Sequence, residues 1–183
     1  VRNDKRLDLL GGTAGLLLAL LSWYPAAGTQ QRPVYLQAAT LCGEHLLSLA
    51  KREQKADGEH LSWPIHSAIG LSGLSHGGSG FAVAFAALYK ATGDAVWLDR
   101  ALGALRHEAR LYSAERLNWR DLRNFTPKDA SQESLEEGMG KVRYFGVSWC
   151  HGAPGVALAR AALLRMVGDE LPTTERARLS ADL

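Results

Sequence analysis

A short glycine-rich turn recurs three times along this chain and leads each time into an apolar stretch, which constrains the fold strongly. The last glycines of the three turns are Gly15, Gly80 and Gly155, so the recurrences lie 65 and 75 residues apart. Each following stretch is rich in alanine and leucine and almost free of charge, as in a helix that is buried nearly all round. Glycine at the helix entry permits close approach of two backbones. A long sequence period of this kind predicts a repeat architecture of helical units.

More amphipathic helices are predicted between the apolar ones. The segments from Pro33 to Lys51 and from Asp94 to Tyr112 place apolar residues at steps of three and four. The second segment follows Thr92-Gly93, which predicts a helix stop with Asp94 as the next N-cap. Strand patterns are weak, and residues 113–147 are the least regular part. An inner buried helix followed by an amphipathic outer helix predicts an all-α fold, an α/α toroid with a double layer of helices.

The bulk properties exclude several classes of protein. The 183 residues suffice for one domain, and we expect residues 1–183 to be a single partial domain of a longer protein. A formal net charge of +2 without a basic stripe argues against nucleic acid as a partner. The longest apolar stretch, Ala14 to Leu21, is shorter than the ~20 residues that cross a bilayer. Two cysteines, Cys42 and Cys150, form no disulfide framework, which predicts a cytoplasmic protein.

Histidines at two kinds of position need different interpretations. His45 and His107 within helices, His60 in a polar loop and His66 beside Pro64 are expected to have structural or solvent-facing roles. These four therefore carry no predicted chemistry.

His76 and the pair Cys150-His151 instead precede the glycine turns, and Asp8 lies at the corresponding mouth of the first repeat. In a toroid the equivalent turns converge at one end, so these side chains are candidates for a common site. Cysteine thiolate and imidazole are good zinc ligands. From the residues alone, Cys150 could equally be a small buried apolar residue and Asp8 a helix cap.

Four motifs give the chain a resemblance to a known family. They are Asp8-Leu-Leu-Gly-Gly-Thr-Ala-Gly15, Gly73-Leu-Ser-His-Gly-Gly-Ser-Gly80, Asn118-Trp-Arg-Asp-Leu122 and Ser148-Trp-Cys-His-Gly-Ala-Pro-Gly155. Together they resemble the LanC-like lanthipeptide cyclases, and more narrowly the C-terminal cyclase domain of class II (LanM-type) lanthipeptide synthetases. The resemblance extends over essentially the whole chain and implies the α/α toroid predicted above.

The resemblance implies a zinc-dependent enzyme that adds cysteine thiolates to dehydroalanine or dehydrobutyrine and so closes (methyl)lanthionine rings. Cys150 would be one Zn²⁺ ligand, with the remaining ligands expected in a Cys-His-Gly motif beyond Leu183. His76 would be the active-site histidine, and His76 or His151 the general acid that protonates the enolate. Asp8 would help to deprotonate the thiol or orient a histidine.

The same resemblance implies several partners. The substrate would be a dehydrated precursor peptide, and a dehydratase domain would lie upstream in the same polypeptide. The enzyme would work in the bacterial cytoplasm, in association with a membrane export complex.

The sequence also departs from the family pattern. Cys42 has no following histidine, so the chain offers one obvious zinc ligand and by itself is expected to be inactive. Some family members carry a basic residue shortly before the zinc cysteine, where this chain has Gly146 and Val147. Arg143 is the nearest basic residue in the sequence.

Two other functions stay open. A non-catalytic LanC-like protein could bind a peptide or a thiol compound without closing rings. An α/α-toroid glycoside hydrolase would need two carboxylates about 5–9.5 Å apart. Asp8 is the one acid at a repeat mouth, whereas Asp121 and Glu115 are predicted to lie near the end of an outer helix.

Overall fold

The computed structural model describes residues 4–65, 67–123, 137–139, 141–181 and 183, and helices dominate them. The helices are α1 (Thr13–Trp23), α2 (Arg32–Ser48), α3 (Gly78–Thr92), α4 (Ala95–Ala109), α5 (Ala153–Val167) and α6 (Thr173–Ala181). A 3-10 turn at Tyr24–Ala26 extends α1. Two short antiparallel hairpins lie between the helices: β1 (Lys51–Lys55) with β2 (Gly58–Ser62), and β3 (Tyr112–Ser113) with β4 (Asn118–Trp119).

The helix pairs follow the predicted repeat. The pairs α1–α2, α3–α4 and α5–α6 each pack as a hairpin, and α3 also contacts α1 on one side and α5 on the other. The inner helices α1, α3 and α5 therefore stand side by side, with α3 in the middle. This arrangement confirms the prediction of a mostly helical α/α toroid fragment.

The three inner helices begin in the same way. Each starts directly after a glycine at the N-cap, namely Gly12, Gly77 and Gly152. Three residues later, a second glycine lies against a backbone carbonyl oxygen six residues upstream. A methyl group at Gly15, Gly80 or Gly155 would lie 2.2 Å, 2.2 Å or 2.4 Å from that oxygen. Because real Cβ atoms do not approach a carbonyl oxygen so closely, only glycine fits at these three positions.

The prediction that all three inner helices are buried nearly all round holds for α3 and is wrong for α1. Nine residues of α3 are buried, but only Thr13, Ala14 and Leu17 are buried in α1. Leu16 and Trp23 of α1 are largely exposed. The physical reason is that α1 packs against α2 and α3 alone, and no described residue covers its remaining side.

The boundaries of the outer helices differ slightly from the predicted ones. Asp94 caps α4 as predicted, since its side chain accepts a hydrogen bond from the backbone N–H of Val96. Both outer helices end earlier than expected because hairpins follow them: α2 stops at Ser48 before β1, and Tyr112 belongs to β3.

Several residues assigned to loops are instead ordered and buried. His60 lies in β2 rather than in a polar loop, and Asn118 lies in β4. The strand β2 packs against α4, and the second hairpin follows α4 in the chain. His45 and His107 are buried within helices, and His66 lies outside the described residues. β1 is entirely polar, and β3 and β4 have two residues each, so neither hairpin has the alternation of apolar and polar residues that predicts strands.

A buried carboxylate joins three helices. Glu108 in α4 is fully buried, and its Oε1 accepts the backbone N–H groups of Gly73 at 2.8 Å and Ser79 at 2.9 Å. Its Oε2 accepts the Ser79 hydroxyl at 2.6 Å and Nη2 of Arg160 at 3.0 Å. Arg160 lies in α5 and is also fully buried. These bonds satisfy the charge that burial would otherwise penalise, so the pair links α4, the start of α3 and α5.

Helical periodicity alone would place Glu108 away from the apolar side of α4, yet the structure buries it completely. The carboxylate points inward because the first turn of α3 has unpaired N–H groups that attract a negative charge. The sequence signal that could have found it is Arg160, a charged residue in the middle of a predominantly apolar inner helix.

Replacing Glu108 with glutamine should destabilise the protein strongly. The change removes the carboxylate that pairs with Arg160 in the interior, and breaking a buried ion pair typically costs about 3–5 kcal/mol. We expect a matching fall in the free energy of unfolding from denaturant titration. Glu115→Gln, at an exposed position, is the matched control and should have an effect within about 0.5 kcal/mol. Equal stabilities of the two variants would contradict the structural role of Glu108.

Another buried group makes stability depend on pH. His107 is nearly fully buried, and burial lowers its pKa from 6.5 to about 4, with the charge of Arg110 acting in the same direction. A hydrogen bond to the backbone of Ile69 and the charge of Glu53 oppose this shift, whereas His60 adds to it. Since the unfolded chain binds the proton more readily, His107 contributes stability above its unfolded pKa of 6.5 that is lost as pH falls toward 4.

The free energy of unfolding should therefore fall between pH 6.5 and pH 4 by up to about 3 kcal/mol from this residue alone. In His107→Gln this contribution is absent, so its pH profile should be flatter over the same interval. Denaturant titrations of both proteins at several pH values measure the difference. Parallel profiles would show that His107 does not cause the loss.

No helix among the described residues is both long enough and apolar enough to cross a membrane.

Candidate active site at the three glycine turns

Backbone hydrogen bonds join the three glycine turns at one end of the inner helices. The N–H of Leu9 in the first turn donates to the carbonyl oxygen of Ser75 in the second, at 2.9 Å. The N–H of Ser75 in turn donates to the carbonyl oxygen of Cys150 in the third, at 3.2 Å. Gly73 has a φ of +101°, and a methyl group there would lie 2.7 Å from that same oxygen of Cys150. The second turn is therefore held tightly between the other two.

Asp8 and His76 form a hydrogen-bonded pair across the first two turns. Nδ1 of His76 lies 2.7 Å from Oδ2 of Asp8, and the carboxylate is buried. The other oxygen of Asp8 accepts the backbone N–H of Gly11 at 2.9 Å, so the carboxylate is fixed from both sides. An ionised carboxylate in this position selects the imidazole tautomer with its proton on Nδ1. Asp8 thus orients the His76 ring and does more than cap a helix.

His151 brings a second imidazole to the same place. Its ring stacks on that of His76, with centroids 5.4 Å apart and an angle of 30° between the planes. Burial lowers the pKa of His151, and the charges of Arg123 and His76 lower it further, whereas Asp121 acts in the opposite direction.

Cys150 lies in the third turn, between Ser148 and His151. Reciprocal backbone hydrogen bonds between Ser148 and His151, at 3.1 and 3.2 Å, close this turn. The thiol is partly exposed, and its Sγ lies 3.1 Å from the hydroxyl oxygen of Ser148. The alternative that Cys150 is a buried packing residue is therefore wrong, because the thiol remains accessible. Cys42, by contrast, is fully buried in α2.

The second hairpin supports the third turn from behind. Oδ1 of Asn118 accepts the N–H groups of Ala153 at 2.7 Å and Trp119 at 2.8 Å, and its Nδ2 donates to the carbonyl oxygen of Gly146 at 3.0 Å. Asn118 therefore caps the first turn of α5 from a distant part of the chain. The sequence analysis noted the Asn118 motif within the irregular residues 113–147 but did not predict this capping role.

Asp121, which was predicted to lie near the end of an outer helix, also adjoins the site. A methyl group at Gly146 would lie 3.7 Å from Oδ2 of Asp121 and 2.9 Å from Cβ of His151, so both approach the same glycine. Burial acts to raise the pKa of Asp121, but hydrogen bonds from Arg123 outweigh it and hold the pKa below its usual range. A negative charge thus lies near His151.

The described residues do not by themselves form a complete zinc site. They contain no group of three or more histidine, cysteine and acidic side chains arranged to hold a metal ion. A catalytic zinc ion takes three protein ligands, and Cys150 is the one thiol at the three turns. The chemistry of Cys150 suits zinc, but its three neighbours Asp8, His76 and His151 do not complete the set.

The comparisons with known proteins agree with this arrangement. A family model described as "Lanthionine synthetase C-like protein" matches residues 1–179, which is nearly the entire chain. No curated protein matches the chain. No solved structure matches it either. Because the family model covers the three glycine turns and the second hairpin together, we conclude that the chain belongs to the lanthionine synthetase C-like family.

Proposed function

We propose that the protein is a zinc-dependent cyclase that closes thioether rings in a dehydrated precursor peptide. The observation that carries the proposal is the cluster of Asp8, His76 and His151 beside the accessible thiol of Cys150. A cyclase needs a substrate thiol in its ionised form and a positioned proton donor. A zinc ion held in part by Cys150 would favour the ionised thiol, and an imidazole of the cluster would supply the proton.

The proton donor in this proposal is His76. When a substrate thiolate adds to the β-carbon of dehydroalanine, a carbon–sulfur bond forms and the electrons of the double bond move toward the neighbouring carbonyl. The resulting enolate then needs a proton at its α-carbon. Asp8 holds the His76 ring in one orientation and balances the positive charge that the ring carries when protonated. Asp8 is thus a positioning residue, and the stacked His151 ring limits movement of His76 on its other side.

Zinc enters the proposal through Cys150. A zinc ion, when bound, favours ionisation of a substrate thiol. Cys150 would supply one ligand, and the further ligands lie outside the cluster of described residues.

The same motifs support a finer proposal on the kind of enzyme. The sequence Trp149-Cys-His-Gly152 resembles the corresponding motif of the class II (LanM-type) synthetases, in which a dehydratase domain precedes the cyclase. On this proposal the enzyme acts in the cytoplasm on a precursor peptide and cooperates with an export complex in the membrane.

No observation favours the glycoside hydrolase. Both carboxylate oxygens of Asp121 are engaged by Arg123, and Glu115 is 81% exposed in its side chain. The non-catalytic alternative differs from the cyclase in one measurable outcome, which is peptide binding without loss of free thiol.

His76→Asn should slow ring closure by about 10²–10⁴-fold, the usual contribution of a general acid. The assay incubates the complete protein with a peptide that contains dehydroalanine and cysteine, and follows the loss of alkylatable thiol by mass spectrometry. Asp8→Asn should slow the reaction less, because the ring remains but loses its fixed orientation.

Asp169→Asn is the matched control for Asp8→Asn, since Asp169 is highly exposed and far from the turns along the chain. It should react at the wild-type rate. A wild-type rate for His76→Asn would exclude His76 as the donor. Binding of the peptide by the wild-type protein without any loss of thiol would favour the non-catalytic alternative.

Cys150→Ala should remove zinc from the complete protein, because a site with two remaining protein ligands holds the ion weakly. Zinc content after gel filtration, measured by elemental analysis, provides the readout. Cys42→Ala is the control: burial raises the pKa of this thiol, and its place within α2 keeps it from binding an ion. Full retention of zinc by Cys150→Ala would contradict the proposed ligand.

A further inference from the structure

One charged group at the site has no part in the function proposed above. Arg123 follows β4 and binds Asp121, whose side chain is only 4% exposed. Nε of Arg123 lies 3.0 Å from each carboxylate oxygen, and Nη2 lies 2.5 Å from Oδ2. A two-pronged contact to a buried carboxylate holds the guanidinium in a fixed place, unlike a pair of flexible surface charges.

The anchor of Arg123 lies against the third glycine turn. Asp121 and His151 both lie close to Gly146, since a methyl group at that glycine would be 3.7 Å from Oδ2 of Asp121 and 2.9 Å from Cβ of His151. The backbone N–H of Asp121 donates to the carbonyl oxygen of Tyr144 at 3.0 Å, which ties the second hairpin to the segment before Cys150. Arg123 is therefore positioned by the same structure that positions the thiol and the imidazole.

Arg123 also interacts electrostatically with Tyr144 in the segment before the third turn and with Cys150 in that turn. The pKa of Arg123 itself is raised, first by its hydrogen bond to Asp121 and also by Tyr144 and Cys150. The side chain remains 42% exposed, and within the described part of the chain its Nη1 donates to no protein atom. One edge of the guanidinium is thus open toward a ligand.

We propose that Arg123 binds the carbonyl oxygen of the dehydrated residue and stabilises the negative charge that develops there during ring closure. This inference rests on the proposed cyclase function. As sulfur bonds to the β-carbon, the carbon–carbon double bond opens and the electron pair moves onto the carbonyl oxygen. Arg123 offers N–H donors and a full positive charge where that oxyanion forms. The carbonyl returns when the α-carbon receives its proton from His76, so atoms and charge balance.

The position is suited to this role for two reasons. Donors aimed at a developing charge lower a barrier most when they are already fixed, and Asp121 fixes Arg123 before substrate binds. The segment before Cys150 carries Gly146, and the lack of a side chain there allows His151 and the carboxylate of Asp121 to lie close to the same glycine. The positive charge therefore comes from the second hairpin, about thirty residues earlier in the chain, and not from the segment next to the cysteine.

Arg123→Gln in the complete protein should lower kcat for ring closure by about 10²–10³-fold, the usual effect of removing one such donor. Zinc content should not change, and the unfolding midpoint should fall only modestly, because glutamine can still donate a hydrogen bond to the buried carboxylate of Asp121. Arg123→Lys should retain part of the activity, because it keeps the charge but loses the second prong. Arg116→Gln, at an exposed arginine paired with Glu115, is the matched control and should react at the wild-type rate.

A chemical rescue separates this role from a structural one. Added guanidinium ion at millimolar concentration should restore part of the activity of Arg123→Ala, whereas sodium chloride at the same ionic strength should not. Equal rates for Arg123→Gln and Arg116→Gln would overturn the role of Arg123 but would leave the proposed cyclase function standing. So would a loss of activity that guanidinium does not rescue and that accompanies a large fall in the unfolding midpoint. A wild-type protein that closes no ring would overturn the proposed function and this inference with it.

Discussion

The rest of the structure depends on the hydrogen bonds and the ion pair made by the buried carboxylate of Glu108. It accepts hydrogen bonds from the backbone of Gly73 and from both the backbone and hydroxyl of Ser79, and it neutralises Arg160. In this way one side chain of an outer helix fixes the entry to the central inner helix and attaches the third inner helix to it. Leaving any of these groups unpaired in the interior would cost far more than the pair contributes as an isolated contact. The network therefore specifies how the repeats fit together.

The site follows from that arrangement. Because Glu108 fixes the second glycine turn, the turn can bridge the first and third through the N–H and carbonyl groups of Ser75. These two backbone hydrogen bonds bring Asp8, His76 and Cys150 together from positions far apart in the chain. The second hairpin then adds Asn118 and Asp121 behind the third turn. The carboxylate, imidazole and thiol side chains come together because backbone hydrogen bonds, rather than contacts among these side chains, hold the three turns in register. The guanidinium of Arg123 is added by the second hairpin.

Sequence reasoning succeeded where a pattern is local and repeated. The glycine turns, the inner helices after them and the cap at Asp94 all leave a signature within a few residues, and the structure has each of them. Sequence reasoning failed where tertiary packing determines the position of a residue. The first hairpin begins with an entirely polar strand and the second has strands of two residues, so neither leaves an alternating pattern in the sequence. Asn118 looks like a loop residue unless its contact with the start of α5 is known. Glu108 looks like an outward charge on an amphipathic helix, because helical periodicity carries no information about unpaired N–H groups on a neighbouring element.

By itself the sequence determined the all-helical repeat, the glycines that allow each inner helix to begin against its own upstream carbonyl, and the candidates Asp8, His76, Cys150 and His151. These depend on local geometry, since a methyl group at Gly15 or Gly80 would collide within its own turn. The tertiary structure alone decided that Asp8 pairs with His76 across 68 residues and that Arg160 meets Glu108 across 52. It also decided that Arg123 lies beside the turn of Cys150 and His151. Such pairings arise because burial strongly favours a partner for a charged or polar group, and which helices pack together determines that partner, not distance along the chain.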